Sequence, residues 1–342
     1  MKKALSFVVG KIIPAFAFIV AGIVVNAAFA QDKATDTKAA AAPSSYPEKP
    51  IRFIVGFPPG SAPDMAARLL GHNLAEQLGK PVLIENLTGA AGNIAADRVA
   101  KATPDGYTLV LAANAQITVN PSLYKLPYDP VRDFAPVTQV YVASNILVVS
   151  PAVPAKTLQE LVALARAQPG ALTFATGGSG SAPHIAAELF KSMTGIEIRA
   201  VPYKGTVLAM PDLLAGRVTM AFNPIVAVLS AVRDGKLRGL AVTSVKRSSV
   251  LPEVPTVAES GFPGYEATLW GGLLAPAGTA PAVIRKLHLE TTNALAQAEL
   301  RGKLAELGME TIGNSPDEFA AVIRSEIPKW AKLIKDSGIK AD

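Results

Sequence analysis

Short apolar stretches alternate with amphipathic ones along almost the whole chain. Ile51–Gly56, Val82–Glu85 and Tyr107–Ala112 predict strands, because each is rich in β-branched, aromatic and other apolar residues. The intervals between them carry apolar residues at helical spacing. Strands that alternate with helices in this way indicate a mainly parallel sheet covered by helices on both faces.

The same alternation restarts after Pro154. Thr157 and Glu160 form a capping-box pattern at the start of a helix that Pro169-Gly170 ends. The predicted elements that follow are strands Leu172–Ala175, Glu197–Val201, Val218–Phe222 and Gly239–Val242, and helices Pro183–Thr194, Leu208–Ala215 and Ile225–Arg233. A chain of 342 residues is long enough for two such units. The sequence therefore predicts an α/β protein with two lobes, each a mixed, mainly parallel sheet flanked by helices.

The C-terminal helices predicted near Pro281, Glu299 and Ser315 have no strands of their own. We therefore expect the chain to return to the first lobe through Thr268–Ala275. The predicted organisation is a first lobe of residues 46–143 and 268–342 and a second lobe of residues 144–267. Two crossings permit a hinge, and the cleft between the lobes is the expected ligand site.

The N-terminus has the pattern of a signal peptide, residues 1–30. Lys2 and Lys3 precede an apolar run, Ile12–Ala30, that ends in the small-x-small cleavage pattern Ala28-Phe29-Ala30. A retained membrane anchor is the alternative, since the run is long for a signal peptide. Residues 31–45 are polar and alanine-rich, and we expect a disordered tether there. The mature protein is expected in the periplasm, cut after about Ala30.

Composition excludes several classes of protein. The chain has no cysteine, so it has no disulfide framework, thiolate metal site or cysteine nucleophile. The net charge is +6, and +3 once Lys2, Lys3 and Lys11 are removed with the signal. A weakly positive surface suits an anionic solute. There is no run of basic residues along a helix face, so nucleic acid is not an expected partner.

Two loops link a predicted strand to the helix that follows it, one in each lobe. They are Gly56–Asp64 and Thr176–Ser181. At such a position the backbone N–H groups and the positive end of the helix dipole favour an anion, and glycine lets the backbone approach it closely. Ordinary Gly/Pro turns are the alternative for each loop taken alone. The matching positions favour a grip on a carboxylate from both lobes.

Asp64 has a structural interpretation as well as a ligand one. It follows Ser61 by three residues, which is the spacing of a capping box. Arg68 lies one turn further and is placed to pair with it. His184 lies in the first helical turn after the second loop, where it either contacts that loop or faces solvent.

Catalytic and cofactor motifs fail on spacing. Ser179 has His184 five residues on, but a nucleophile elbow needs glycine at position 181, which is serine. The phosphate P-loop and the dinucleotide fingerprint are absent, and no histidine or carboxylate spacing indicates a metal. We predict a protein that is not an enzyme and has no cofactor; a serine hydrolase is the minor alternative.

Long segments identify a family resemblance that runs from about Tyr46 to the C-terminus. The chain resembles the Bug-type solute-binding proteins of tripartite tricarboxylate transporters. The resemblance rests on YPEKPIRFIVGFPPGSAPDMAARLL, GAAGNIAADRVAKATPDGYTL, NPSLYKLPYDPVRDFAPV, HIAAELFKSMTGI, VPYKGTVLAMPDLLAGRV and LAVTSVKRSSVLPEVPTVAESGFPGYE.

The resemblance implies a monomeric periplasmic receptor of the Venus-flytrap type, which binds di- or tricarboxylates, acidic amino acids or aromatic carboxylates and presents them to a membrane permease. A ligand-sensing adaptor for a signalling protein is the alternative role. The family resemblance also implies ligand contacts in four places: in both loops, after the third strand and after a strand of the second lobe. The predicted contacts are Phe57, Pro59, Gly60, Ser61, Ala62, Asp64, Asn114, Gln116, Thr176, Gly177, Gly178, Ser179, Ser181, His184 and Asn223.

Three residues depart from the family pattern. Gly56 stands where proline is usual, Ser61 where glycine is usual, and Asn223 where aspartate is usual. Serine adds a hydroxyl donor, and asparagine removes a negative charge. If Asn223 faces the ligand, the pocket is expected to prefer a more anionic ligand or a neutral polar group over an amine.

Overall fold

The computed structural model describes residues 46–177, 180–203 and 206–340. The predicted signal peptide and tether lie outside the described residues, as do Gly178 and Ser179 of the second loop.

The described strands form two mixed sheets, one in each lobe. The first sheet contains β1 (Ile51–Val55), β2 (Val82–Asn86), β3 (Thr108–Ala113), β4 (Phe134–Ala143), β10 (Leu269–Pro276) and β11 (Met309–Thr311). The second contains β5 (Asn145–Val149), β6 (Thr173–Thr176), β7 (Arg199–Pro202), β8 (Met220–Pro224) and β9 (Arg238–Val242).

Helices flank both sheets. They are α1 (Ala62–Leu78), α2 (Asn93–Ala100), α3 (Leu158–Ala167), α4 (Ala182–Thr194), α5 (Met210–Leu214), α6 (Ile225–Arg233), α7 (Pro281–Ala296), α8 (Ala298–Glu306) and α9 (Pro316–Ser337). A turn of π-helix, Ala115–Val119, follows β3. Of the helices in the described part of the chain, none has the length and apolarity needed to cross a membrane.

The prediction of two α/β lobes, each a mixed, mainly parallel sheet flanked by helices, is confirmed. The first sheet has the order β11-β4-β10-β3-β1-β2, and the second β7-β6-β8-β5-β9. Parallel pairs join β1 to β2 and β3, and β6 to β7 and β8. The pairs made by β4, β5, β10 and β11 are antiparallel. β5 and β10, which bring the chain into a lobe, run against the strands of the βα units, as does β11, whereas β4 runs in the same direction as β3.

The lobes are joined at three places. Only Ser144 separates β4 from β5, and β10 brings the chain back to the first sheet. The third connection is α9, which the sequence analysis placed wholly in the first lobe. Phe319 and Ile323 in its first half lie in the core of the first lobe. Trp330 and its neighbours in the second half lie in the core of the second lobe.

Local sequence explains where the helices near the cleft begin and end. Both α1 and α4 have proline in the first turn, where its missing N–H costs nothing, and both end at a glycine in the left-handed region. A capping box begins α9, with Ser315 and Glu318 each bonding the other's backbone N–H.

Candidate functional site

The two predicted loops follow β1 and β6, and each leads into a helix, α1 or α4. A narrow cavity lies where the lobes meet beside the start of α4, and no residue of the first loop lines it. Its walls come from the turn after β3, the start of α4, the segment before β10, and α9: Asn114, Ala115, Val119, Gly180, Ala182, Ile185, Ala267, Thr268 and Trp330. Its volume is about 10 Å³, room for one water. A solute larger than water does not fit this cavity in the present arrangement of the lobes.

Gly180, in the second loop, lies against Leu123 of the first lobe. A Cβ atom at this position would lie 2.3 Å from Leu123 Cδ1, and the residue has φ +72°. Glycine is required here both by the backbone conformation and by the contact between lobes.

The hydrogen bonds of the first loop converge on Asp64, which is almost fully buried, with 1% of its surface exposed. Its carboxylate accepts hydrogen bonds from the Gly60 N–H (2.8 Å), from Asn86 Nδ2 (2.8 Å) and from Arg68 Nε (3.0 Å). Asn86 Nδ2 is also 3.0 Å from the carbonyl oxygen of Phe57. The predicted pairing of Asp64 with Arg68 is confirmed, and the carboxylate fixes the shape of the loop.

Two opposing effects act on the ionisation of Asp64. Burial raises the pKa of its carboxyl, but the hydrogen bonds from Arg68, Asn86 and Gly60 together outweigh burial and hold the pKa below its ordinary value. Asp64 is therefore ionised at neutral pH and its charge is balanced by Arg68. The first loop therefore presents no net negative charge to a ligand.

The predicted capping box between Ser61 and Asp64 is wrong. Ser61 is the N-cap residue of α1, but its side chain makes no capping bond. Asp64 bonds the N–H of Gly60 instead of that of Ser61. The Asn86 amide and the Arg68 guanidinium turn the carboxylate away from the cap, and the Ser61 hydroxyl is left for another partner.

The second loop is built in the same way around His184. This residue is buried, and the Gly180 N–H donates to its Nδ1 over 3.3 Å. Its Nε2 lies 3.7 Å from a Glu188 carboxylate oxygen. Lys191 Nζ is 2.8 Å from the same carboxylate. Burial raises the pKa of Glu188, but the bonds from His184 and Lys191 outweigh it and lower the pKa overall.

The two loops share a tetrapeptide that hydrophobic periodicity does not reveal. Gly60-Ser61-Ala62-Pro63 and Gly180-Ser181-Ala182-Pro183 are identical. Both glycines are left-handed, both serines are extended N-caps without a capping bond, and both glycine N–H groups bond the side chain four residues later. A comparison of the chain with itself would have found this repeat.

Four predicted contact residues have buried polar side-chain atoms that bond to nothing within the described residues. These atoms are Ser61 Oγ, Asn114 Oδ1, Ser181 Oγ and both Nδ2 and Oδ1 of Asn223. They belong to the starts of α1 and α4, the turn after β3 and the end of β8. A buried polar atom without a partner costs about 1–3 kcal/mol, so such a group indicates that a water or a ligand binds beside it.

The other predicted residues occupy different surroundings. Gln116 is fully buried, and its amide already joins the Ala113 N–H (2.8 Å) to the Gly92 carbonyl (2.7 Å). Thr176 is buried at the end of β6, with Gly177 half-buried beside it. In the first loop Phe57 and Ala62 pack against the core, whereas Pro59 and Gly60 are exposed. Among the described residues, no cluster of histidine and acidic side chains would hold a metal.

Comparison with known families decides what kind of protein carries this arrangement. Residues 66–339 match the profile of the tripartite tricarboxylate transporter family receptor, TctC. The chain belongs to this family. Its members are solute-binding receptors and not enzymes, which confirms the prediction that this receptor is not an enzyme.

A curated relative covers nearly the same length. The receptor is 39% identical to protein BugT of Bordetella pertussis over 309 residues, which are 89% of this chain and 95% of BugT.

Solved structures share the fold. Rpa4515 of R. palustris, solved with adipate, is 36% identical, with a TM-score of 0.76 over 87% of this chain and all of that one. MatC of Rhodopseudomonas palustris, solved with bound malate, is 32% identical, with a TM-score of 0.72 over 84% of this chain and all of that one. The periplasmic binding protein BugD is 33% identical, with a TM-score of 0.73 over 87% of this chain and all of that one.

Proposed function

We propose that the receptor binds a small dicarboxylate in the cleft between its lobes and delivers it for uptake. The observation that carries this proposal is the set of buried polar atoms without a partner among the described residues: Ser61 and Asn114 in the first lobe, Ser181 and Asn223 in the second. Adipate and malate, bound by the structural relatives, are both dicarboxylates. The ligand class is therefore a short acid with two carboxylates.

The repeated Gly-Ser-Ala-Pro loops supply the donors for such a ligand. Each places a serine hydroxyl at the start of a helix whose first backbone N–H groups have no intrahelical partner. Donors of this kind are held in position before binding and lose little entropy. A hydrogen bond to a charged group contributes about 1.5–3 kcal/mol, so a few of them give micromolar affinity.

Closure of the lobes follows from the same contacts. A ligand that touches both loops makes all of its hydrogen bonds only when the lobes are together. It therefore shifts the population of the receptor towards the closed form. The closed form is the one we propose a membrane permease of the tripartite type to recognise.

Asn223 is proposed to set the choice between acids and amino acids. It is fully buried at the end of β8 and carries no charge. Asp64 is already neutralised by Arg68. An ammonium group bound at this end of the cleft would meet no free carboxylate from these two residues, so we propose that the receptor prefers malate over aspartate, which differ only in a hydroxyl or an amine.

Malate and aspartate therefore form a matched pair for calorimetry. The wild-type receptor is expected to bind malate at least tenfold more tightly than aspartate. Asn223→Asp is expected to reduce or reverse the preference, because it places an anion beside the amine. A wild-type receptor that favours aspartate would contradict this assignment.

Export to the periplasm is the proposed location, with cleavage after about Ala30. The signal pattern of residues 1–30 and the periplasmic relative BugD support it. Fractionation of expressing cells tests the location, and mass spectrometry of the mature N-terminus tests the cleavage. Retention of an intact N-terminus in the membrane would favour the anchor instead. Capture from membranes with and without ligand separates a permease partner from a signalling one.

A thermal-shift screen of carboxylic acids on the mature protein tests the function itself. A ligand at a hundred times its Kd stabilises the folded state by about 2.7 kcal/mol. Unfolding entropy is about 2.1 cal/mol/K per residue, so for a chain of roughly 300 residues this is a rise in Tm of about 4 °C. The double variant Ser61→Ala/Ser181→Ala is the matched control and is expected to lose most of the shift. No shift with any dicarboxylate would contradict the proposal.

A further inference from the structure

Glu326 lies near the middle of α9, the helix shared by both lobes. One oxygen of its carboxylate, Oε2, lies within hydrogen-bond distance of three donors. The donors are Thr118 Oγ1 at 2.9 Å, Trp270 Nε1 at 2.9 Å and Trp330 Nε1 at 3.3 Å. A single oxygen thus joins three elements, and nothing in the proposed ligand contacts uses it.

Each donor belongs to a part of the molecule that matters for the cleft. Thr118 is in the π-helical turn after β3, which also carries the cavity-lining Ala115 and Val119. Trp270 lies on β10, the strand that returns to the first lobe. Trp330 lines the cavity between the lobes and packs in the core of the second lobe. These are the only two tryptophans of the chain.

Hydrogen-bond chemistry makes Glu326 hard to replace. An indole N–H is only a donor, so each buried tryptophan needs an acceptor. The Thr118 hydroxyl has one hydrogen and two acceptors in reach, the carboxylate of Glu326 and the carbonyl oxygen of Asn114, each at 2.9 Å. If Glu326 accepts this hydrogen, the turn is bonded to α9. If the Asn114 carbonyl oxygen accepts it, the bond stays within the turn.

The electrostatic surroundings agree with a buried, shared carboxyl. Burial raises the pKa of Glu326, and the bonds from Trp270, Thr118 and Trp330 lower it by less, so the pKa lies above its ordinary value. Lys329, on the same helix, is the nearby charged side chain and also favours the ionised form.

We propose that Glu326 is a positioning residue for ligand binding: through Thr118 it holds the turn that follows Asn114 against the helix that joins the two lobes. A ligand that touches Asn114 then acts on α9, and movement of α9 acts on the ligand contact. The part that concerns ligand affinity rests on the proposed function. The tie between the turn and the helix stands without it.

Three variants of the mature protein separate this role from plain stability. Thr118→Val keeps the shape of the side chain and removes the donor. Glu326→Gln keeps an acceptor oxygen and removes the charge. Ser315→Ala is the control, because it removes the capping box of the same helix far from Glu326 and lowers stability without touching the turn.

Amide hydrogen exchange, measured without ligand, tests directly whether Glu326 holds the turn at residues 115–119 against α9. Exchange of residues 115–119 relative to that of β3 is expected to rise about tenfold in Thr118→Val and Glu326→Gln and to stay unchanged in Ser315→Ala. Glu326→Gln is also expected to shift both indole N–H signals in a nitrogen–proton correlation spectrum. Unchanged relative exchange of residues 115–119 in both Thr118→Val and Glu326→Gln would overturn the proposal.

Calorimetry with adipate and with malate then tests the role in binding. We expect Thr118→Val to raise the Kd of the acid that binds about tenfold, equivalent to about 1.4 kcal/mol, and Ser315→Ala to leave it unchanged. Equal affinity of Thr118→Val and wild type overturns the positioning role. If wild type binds neither acid, the proposed dicarboxylate function fails, and the exchange result alone decides whether Glu326 holds the turn.

Discussion

Replacement of Asp64 by asparagine tests how the first loop is built. The carboxylate accepts from the Gly60 N–H, from Asn86 and from Arg68 at 2.8–3.0 Å. An amide at this position has one acceptor oxygen and one NH₂ group, so it faces at least one of these donors with another donor. The variant loses at least one hydrogen bond outright, and the bonds that remain no longer have a charged acceptor.

The size of the effect follows from these contacts. Each bond to a charged group is worth about 1.5–3 kcal/mol, but Arg68 is half exposed and regains solvation when released, which reduces its share. The expected loss is about 3 kcal/mol. With about 0.6 kcal/mol/K of unfolding entropy for a chain of this length, the Tm is expected to fall by about 5 °C. Calorimetry of mature Asp64→Asn at pH 7 measures this, with the exposed Asp317→Asn as control.

The pH dependence gives the same argument a second test. The pKa of Asp64 is lower in the folded protein than in the unfolded chain. Its stabilisation is therefore complete above the unfolded pKa of about 4 and is lost as the pH falls through the folded pKa. The gap in Tm between wild type and Asp64→Asn should shrink below about pH 4. A gap under 1 °C at pH 7, or one that persists undiminished in acid, would refute the reasoning.

Three further predictions follow from the contacts of single residues. Ser61→Ala and Ser181→Ala should not lower the Tm of the ligand-free protein, because neither hydroxyl bonds a described residue, yet each should weaken dicarboxylate binding in calorimetry. Gly180→Ala should weaken binding more than Gly170→Ala, because both positions are left-handed but only Gly180 meets the other lobe; similar losses would refute this. Phe190→Ala should cost about 3–5 kcal/mol in denaturant unfolding, since three aromatic rings pack on it; a cost near 1 kcal/mol would contradict that packing.

Local patterns in the sequence were good guides to the elements and poor guides to their pairing. The strand predicted at Ile51–Gly56 is observed at Ile51–Val55, and the helix predicted at Pro183–Thr194 begins one residue earlier. Hydrophobic periodicity and capping residues act within a few residues, so they are visible in the chain. The antiparallel pairs of β5 and β10 depend on where the chain crosses between lobes, which no local pattern records.

The candidate site shows the same division. Loop position along the chain indicated Ser61 and Ser181, and the family resemblance indicated Asn223; their polar side-chain atoms are buried without a bond to any residue that the structure describes. Sequence patterns did not reveal that the Gln116 amide is already hydrogen-bonded to the backbone of Ala113 and Gly92. They also gave no sign of Glu326, since its partners are distant in sequence. A carboxylate between two indoles is recognisable only in three dimensions.

The path of α9 has a consequence for how this molecule can be taken apart. Residues 144–267 are continuous in sequence and contain a whole sheet, so they look like a domain that could be expressed alone. That fragment would lack Trp330, Leu333 and Ile334, which pack in the core of the second lobe. The apolar surface that these residues cover would then be exposed to water. The second lobe is thus completed only when the last residues of the chain have been made, and we expect the receptor to melt in one step despite its two sheets.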